Sequence, residues 1–142
     1  MTTHVIDVIY YGQTLSKKNR HVPNGRGGIT LDAGARQNEN DIVAQLEPKL
    51  RKMGIRTWEP DTIVKDEWLE KKRKANVSVT FFDDSHRRRD LDNQLTTILD
   101  ALKRTNAIPD DDKRFVNGVG AFDGGVDADN PRAEISITYM EP

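Results

Sequence analysis

The sequence predicts an α+β (mixed α/β) fold. Short stretches rich in β-branched and aromatic residues, typical of strands, alternate along the chain with stretches whose apolar residues recur every three to four positions, as in helices. The 142 residues suit one domain with a sizeable core. Charged residues make up 32% of the chain and hydrophobic residues 35%, as in soluble globular proteins. We expect a single domain, residues 1–142, with the order β-α-(insert)-β-α-β-β.

The first strand is predicted over residues 4–11, where β-branched and aromatic residues alternate with polar ones. Residues 12–36 are basic and rich in glycine, which predicts a long loop or a loose ribbon. Loops of this length in compact domains usually carry function or lack a fixed conformation.

The first helix is predicted over residues 39–53. Its apolar residues share one stripe, and Gly54 suits the position just past its end. Pro48 removes a backbone donor inside this pattern and predicts a kink or a break. The stripe consists of Ile42, Leu46, Leu50 and Met53.

Residues 56–74 are the least regular part of the chain. Trp58 and Trp68 flank a possible short helix that opens near Asp61. We treat the segment as an insertion between the first helix and the next strand.

Residues 76–83 predict a strand, and a helix with a strong apolar stripe follows. Asp90 is a good N-cap for that helix, since carboxylates favour the positive end of a helix dipole. The stripe consists of Leu91, Leu95, Ile98, Leu99 and Leu102. Two further strands are predicted over 114–122 and 133–140, joined as a hairpin by the turn-rich residues 123–131.

Composition excludes several classes of protein. The chain contains no cysteine, so it has neither disulfides nor thiolate metal sites. No apolar stretch approaches the roughly 18 residues that span a bilayer, and the first residues do not resemble a secretory signal. We therefore expect a cytoplasmic protein with no membrane partner.

Residues 86–93, His-Arg-Arg-Arg-Asp-Leu-Asp-Asn, carry the strongest functional signal. Three guanidinium groups precede two carboxylates spaced i, i+2 at a helix start. A second acidic cluster, Asp110 to Asp112, follows one helix later. Because a strand end and a helix start lie side by side, we expect Asp90, Asp92 and Asp111 to come within reach of one Mg²⁺ ion. Such an ion would activate water for cleavage of nucleic acid.

A plainer interpretation fits the same carboxylates about equally well on spacing alone. Acidic residues favour helix N-termini and solvated turns without binding any metal. The arginines Arg87, Arg88 and Arg89 suit phosphate binding, since guanidinium forks match phosphate geometry. The loop cations Lys17, Lys18, Arg20 and Arg26 extend the possible DNA-binding surface, although a solvated charge run would look similar.

The order Arg-Arg-Asp-Leu-Asp-Asn at 88–93, then Asp-Ala-Leu at 100–102 and an acidic pair at 110–111, resembles the RusA family of Holliday-junction resolvases. The resemblance is clear from about residue 77 to 119 and weaker elsewhere. It implies a small homodimeric endonuclease, common in phages, that uses Mg²⁺ (or Mn²⁺) to resolve four-way DNA junctions by paired symmetric nicks.

The resemblance also assigns roles to residues. It implies that Asp90, Asp92 and Asp111 are the catalytic metal ligands, and that Asn93 supports the site through hydrogen bonds. Some members carry a catalytically important lysine at the position of Thr96, one helical turn after Asp92. Here Lys113 or Lys103 is left as the possible substitute, and the sequence does not decide between them.

Two alternatives stay open. The chain is a junction-binding accessory protein with impaired catalysis if the missing lysine is decisive. It is a nuclease for flaps or forks if the same site meets another branched geometry, because no residue pattern distinguishes a junction from other branched DNA.

Overall fold

The computed structural model describes residues 1–16, 21–23, 29–31 and 33–142, with the side chains of 21–23, 29–31 and 33 left aside. The elements are, in chain order, β1 (Thr2–Tyr11), β2 (His21–Pro23), β3 (Ile29–Leu31), α1 (Ala33–Lys52), α2 (Asp61–Glu70), β4 (Lys74–Asp83), α3 (Leu91–Arg104), β5 (Val116–Val126) and β6 (Arg132–Glu141). Four strands form a mixed sheet in the order β1-β6-β4-β5, and β2 pairs with β3. The α+β fold predicted from the sequence is confirmed.

The helices pack on one face of this sheet, and the opposite face is open to solvent. Strand residues alternate accordingly, so that one face supplies the core together with the helix stripes. Ile42, Leu46, Leu50, Ile98 and Leu102 of the helices are fully buried. The core therefore lies in a single layer between the helices and the sheet.

The predicted hairpin between the last two strands is wrong. β6 lies between β1 and β4 and is antiparallel to both, whereas β5 pairs in parallel with β4. The connecting turn crosses the end of β4, where the Asp127 N–H donates to the Asp83 carbonyl (2.9 Å). Burial explains the order. β6 buries four residues on the helix face and takes a central place, whereas β5 is glycine-rich and largely exposed, which suits an outer strand.

α1 begins at Ala33, earlier than predicted, and continues past Pro48 without a break. Pro48 lies on the exposed side, and the buried Leu46 and Leu50 anchor the helix on either side of it. Gly54 has φ +91° and ends the helix as predicted, but Met53 is exposed rather than part of the buried stripe.

The 12–36 segment contains the β2–β3 ribbon, in keeping with the ribbon alternative. The short helix expected after Asp61 is α2, which buries Trp68, while Trp58 stays exposed. Asn106 fixes the start of the inserted segment to the end of α3: its Nδ2 donates to the carbonyls of Arg56 (3.0 Å) and Glu59 (2.8 Å). Within the described part of the chain, no helix has the length and apolarity needed to cross a membrane.

Candidate active site

The site begins where β4 ends and α3 starts, and Arg89 shapes the loop between them. The Arg89 guanidinium donates to the Asp84 carboxylate (2.8 Å) and to the carbonyls of Ser85 (3.1 Å) and Arg87 (3.3 Å). Its side chain is only 14% exposed. Arg89 was predicted to bind DNA, but its hydrogen bonds are made within the loop that leads into Asp90.

Arg87 and Arg88 are exposed at the same place. In the part of the chain that the structure describes, neither guanidinium has a protein partner. Both are therefore available to an incoming phosphate. The other predicted DNA-binding cations, Lys17, Lys18, Arg20 and Arg26, lie outside the described residues.

Asp90 stands at the N-cap of α3 without capping it. Its backbone is extended (φ −95°, ψ 123°), and its carboxylate does not accept a capping hydrogen bond from the backbone of the first turn. Instead Oδ2 accepts a hydrogen bond from Nδ2 of Asn93 (3.2 Å). The other carboxylate of the pair, Asp92, is exposed and accepts the Asn93 backbone N–H at Oδ1 (3.0 Å). Asn93 thus contacts both carboxylates, and its supporting role stays a prediction.

The side-chain carbonyl of Asn93 has no hydrogen-bond partner among the described residues, although it is buried. Buried polar atoms in folded proteins are normally paired, so an orphaned acceptor asks for an explanation. An oxygen ligand to a hard cation is one, and the neighbouring donors Asp90 and Asp92 are of the same oxygen type. The donor set at this end of α3 therefore fits Mg²⁺.

A second layer of polar contacts lies behind the site, and sequence patterns did not predict it. Gln94 is 1% exposed, and its Nε2 donates to Oδ1 of Asp83 (3.0 Å) and to the carbonyl of Thr14 (3.0 Å). Gln13 donates to the same Asp83 oxygen (2.8 Å). The one available signal in the sequence was the position of Gln94 directly before Leu95, a residue of the apolar stripe of α3.

A cavity of about 400 Å³ opens beside this layer. Asp83 and Asp123, at the carboxyl ends of the parallel strands β4 and β5, line it together with His86, Arg87, Arg89 and Gln94. Asp123 was not among the predicted site residues. The parallel pairing of β4 with β5, which the sequence pattern did not reveal, brings it to this edge.

The second acidic cluster lies at the other end of α3. Nζ of Lys103 lies 3.5 Å from Oδ2 of Asp111 and 3.1 Å from Oδ1 of Asp100. Asp110 lies 3.7 Å from Nζ of Lys65, which belongs to α2. The inserted segment therefore contributes a cation to this cluster.

The charges of the cluster shift its pKa values. Partial burial of Lys103 opposes its charge, but the hydrogen bond with Asp100 and the nearby carboxylates of Asp111 and Asp110 outweigh burial and raise the Lys103 pKa. The backbone N–H of Asp111 donates to Asp110 (2.8 Å) and lowers the Asp110 pKa. Lys103 is thus held in its charged form beside Asp111.

A single chain does not gather the three predicted ligands around one point. Asp92 and Asp100 are eight residues apart in α3, roughly 12 Å along its axis, and Asp111 shares Lys103 with Asp100. Among the residues that the structure describes, no group of three or more His, Asp or Glu side chains is arranged to hold a metal ion. Asp90 and Asp92 lie together, and Asp111 lies apart from them.

Thr96 brings no charge to the face it shares with Asp92. Its hydroxyl donates to the Asp92 carbonyl (3.0 Å), a bond within the helix. Of the two predicted substitute cations, Lys103 lies on this face two turns later, whereas Lys113 is exposed in the loop after Asp111. Lys103 contacts Asp100 and Asp111, and which lysine takes the place of the family's lysine stays a prediction.

Comparison with known proteins agrees with this arrangement. The family model of the RusA endodeoxyribonuclease matches residues 16–138 of the 142, a span that includes both acidic clusters and the arginine run. Among curated proteins, no match was found. Because the matched span covers most of the chain, the protein belongs to the RusA family, the endodeoxyribonucleases that resolve Holliday junctions.

Proposed function

We propose that this chain is a Mg²⁺-dependent, structure-specific endonuclease that cuts four-way DNA junctions by paired, symmetric hydrolysis of two phosphodiesters, and that Asp90, Asp92 and Asp111 hold the ion. One observation carries the proposal. Two adjacent carboxylates lie at the start of α3, next to the buried side-chain carbonyl of Asn93, which has no hydrogen-bond partner among the described residues. Two exposed arginines, Arg87 and Arg88, come directly before them in the chain.

These donors match what Mg²⁺ requires. The ion takes oxygen ligands, keeps several waters, and is commonly held by one or two carboxylates together with a substrate phosphate. When bound, it polarises the phosphodiester and lowers the pKa of an attacking water. Mn²⁺, which also prefers carboxylate and water ligands, is expected to substitute.

The remaining residues bind the DNA backbone and orient the metal ligands. Arg87 and Arg88 attract the phosphate backbone towards the carboxylates. Asn93 fixes the direction of the Asp90 carboxylate, and Arg89 fixes the loop that carries both arginines. A carboxylate that is already oriented loses little entropy when the ion and the phosphate arrive.

The position of Asp111 supports a site formed by residues of two copies of the chain. Within one chain, α3 separates Asp111 from Asp90 and Asp92. In a two-fold dimer whose α3 helices run in opposite directions, the Asp111 end of one copy lies level with the Asp90 end of the other. Each dimer then has two equivalent sites, which matches the two equivalent strands of a four-way junction.

The same arrangement supplies a positive charge that Thr96 does not provide. Lys103 is hydrogen-bonded beside Asp111, so it accompanies Asp111 to the site formed with the second copy. Its raised pKa keeps it protonated through the neutral range. Lys103 then supplies the positive charge that some family members obtain from a lysine at the position of Thr96.

Mixing two inactive variants tests this site. Asp92→Asn and Asp111→Asn are each expected to bind a labelled four-way junction with Mg²⁺ present and to leave it uncut. In a mixed dimer, one site carries both substitutions and the other is intact, so the mixture regains nicking. The expected recovery is on one strand per junction only.

The outcomes separate the alternatives. If the site lies within one chain, each copy of the mixed dimer carries one lesion and the mixture stays inactive. If wild type binds the junction but does not cut it with either Mg²⁺ or Mn²⁺, the catalytic proposal is wrong and the chain is an accessory binding protein. Faster cutting of flaps or forks than of junctions would overturn the proposed substrate.

A further inference from the structure

Each carboxylate of the second acidic cluster has its own cation. Three successive carboxylates repel one another, so the cations with which they pair influence how each side chain is directed. Two of these cations come from outside the loop, Lys103 from α3 and Lys65 from the inserted segment. The pairs, with their N–O distances, are Asp110 with Lys65 (3.7 Å), Asp111 with Lys103 (3.5 Å) and Asp112 with Arg114 (2.8 Å).

Lys65 reaches the loop from the second turn of α2. Its side chain is 27% exposed and that of Asp110 is 30% exposed, so the pair is partly shielded from water. Lys65 also lies 3.4 Å from Asp61, but that carboxylate is 65% exposed and contributes less. Lys65 and Asp110 both line a cavity of about 450 Å³ between the start of α2 and the end of α3. The ion pair thus spans an opening in the surface.

Asp110 connects Lys65 to the backbone of Asp111. Its Oδ2 faces Lys65, while its Oδ1 accepts the backbone N–H of Asp111 (2.8 Å). The second contact orients the peptide group between the two residues, and with it the direction in which the Asp111 side chain leaves the backbone. The two oxygens of one carboxylate therefore join α2 to the residue proposed as a metal ligand.

The position of α2 does not depend on this ion pair. Val64 and Trp68, on the inner face of the helix, are 6% and 5% exposed and belong to the core. Before the helix, the carbonyls of Arg56 and Glu59 accept hydrogen bonds from Nδ2 of Asn106. The helix is thus a fixed support, and loss of the Lys65 charge should disturb the acidic loop rather than α2.

Lys103 also acts on Asp110, which makes the separate cation necessary. The pKa of Asp110 is lowered by the N–H of Asp111 and also by the charge of Lys103. Lys103 is already shared between Asp111 and Asp100, whose Oδ1 lies 3.1 Å from its Nζ. Without the charge of Lys65, Asp110 would compete with Asp111 for Lys103.

We propose that Lys65 is a positioning residue for Asp111: it holds Asp110 away from Lys103, and so keeps the Asp111 carboxylate in the direction in which it binds the ion. This inference rests on the proposed function, in which Asp111 is a metal ligand. It gives the inserted segment a role in catalysis, although none of its residues has to touch the ion or the DNA.

The first measurement is the Mg²⁺ dependence of junction nicking in Lys65→Met, which keeps the length of the side chain and removes its charge. The half-saturating Mg²⁺ concentration is expected to rise about five-fold, equivalent to about 1 kcal/mol, the upper end of the range for partly exposed ion pairs. Lys65→Arg keeps the charge and should restore the dependence to near that of wild type. The melting temperature should fall by no more than a few degrees.

The matched control is Lys71→Met. Lys71 ends the same helix and pairs with Glu67 (3.3 Å), away from the acidic loop. Its loss removes an ion pair of the same type, so it should leave the half-saturating Mg²⁺ concentration unchanged.

The second measurement does not depend on activity. In protein without metal or DNA, the backbone amide resonance of Asp111 should move upfield in Lys65→Met, because its hydrogen bond to Asp110 weakens. Lys65→Arg should return the resonance towards its wild-type position, and Lys71→Met should not move it.

These measurements separate failure of the inference from failure of the proposed function. In an active wild type, an unchanged Mg²⁺ dependence in Lys65→Met, or an equal shift in Lys71→Met, overturns the role of Lys65. A Lys65→Arg variant as impaired as Lys65→Met overturns the argument from charge. If wild type binds junctions without cutting them, the proposed function fails, and an unmoved Asp111 amide in Lys65→Met then shows separately that Lys65 does not hold the loop.

Discussion

Replacing Asn93 with leucine should separate activity from stability. The side chain is 5% exposed, and its amide makes one side-chain hydrogen bond, to the Asp90 carboxylate. Leucine has nearly the same size but can neither orient that carboxylate nor offer an oxygen to a metal ion. The substitution therefore removes the support of the proposed site and leaves the packing of α3 in place.

The expected stability change is small because two effects oppose each other. Losing a hydrogen bond to a charged group costs about 1.5–3 kcal/mol, whereas removing a buried carbonyl without a partner gains about 1–3 kcal/mol. Leucine is also the better helix former by a few tenths of a kcal/mol. We expect the free energy of unfolding in urea to change by less than about 1 kcal/mol.

The expected change in activity is much larger. Residues that orient metal ligands typically contribute about 10–100-fold to metal affinity or activity. The assay is nicking of a labelled four-way junction over a series of Mg²⁺ concentrations, and the half-saturating concentration should rise by this factor. Thr97→Val is the matched control, since Thr97 lies one turn further on the same face and donates to the Leu15 carbonyl (2.7 Å).

Three results would count against this reasoning. An unchanged Mg²⁺ dependence in Asn93→Leu would show that Asn93 neither supports nor completes the ion site. A large loss of stability with a proportional loss of nicking would show that Asn93 acts through the fold alone. A shifted Mg²⁺ dependence in Thr97→Val would remove the specificity on which the argument depends.

Further predictions concern contacts at other places in the structure. Arg88→Ala should weaken junction binding and reduce the slope of log K against log salt concentration by about one, as measured by fluorescence anisotropy at several salt concentrations. Arg89→Ala should instead lower the melting temperature, because it loses the contacts that hold its loop. Asn106→Ala should lower the free energy of unfolding in urea by about 2–4 kcal/mol, since it removes the hydrogen bonds from Nδ2 to the carbonyls of Arg56, Thr57 and Glu59 at a left-handed residue (φ +61°). Asn106→Gly should lose less because glycine accepts that conformation. The hydrogen bond from Arg114 lowers the pKa of Asp112 to about 2. The small stabilisation of the fold by this pair should therefore be complete above pH 3.8 and be lost as the pH falls towards 2. In Arg114→Ala, carboxyl chemical shifts should show that Asp112 titrates nearer its ordinary pKa.

Local sequence patterns were sufficient for most elements of this fold. The alternation over 76–83 and the stripe of Leu95, Ile98 and Leu102 predicted β4 and α3 nearly to their ends, because strand and helix periods are set by nearest-neighbour geometry. The carboxylates Asp90 and Asp92 were identifiable for the same reason: their spacing and their place at a helix start are local properties.

Patterns failed where the outcome depended on competition between distant elements. Pro48 was expected to break α1, but burial of Leu46 and Leu50 outweighed the loss of one hydrogen bond. The last two strands were expected to pair with each other, but β6 could bury more apolar surface between β1 and β4. No local pattern shows how much apolar surface β6 buries in each possible position, because that area depends on the whole sheet.

The types of chemical group that this protein offers could be identified from its residues alone: paired carboxylates that follow arginines, an acidic loop one helix later, and no thiol ligands. The positions of those groups in space depend on how the strands pair. Because β5 runs parallel to β4, α3 must return along the full length of the strands, and its two ends, with their carboxylates, are held apart.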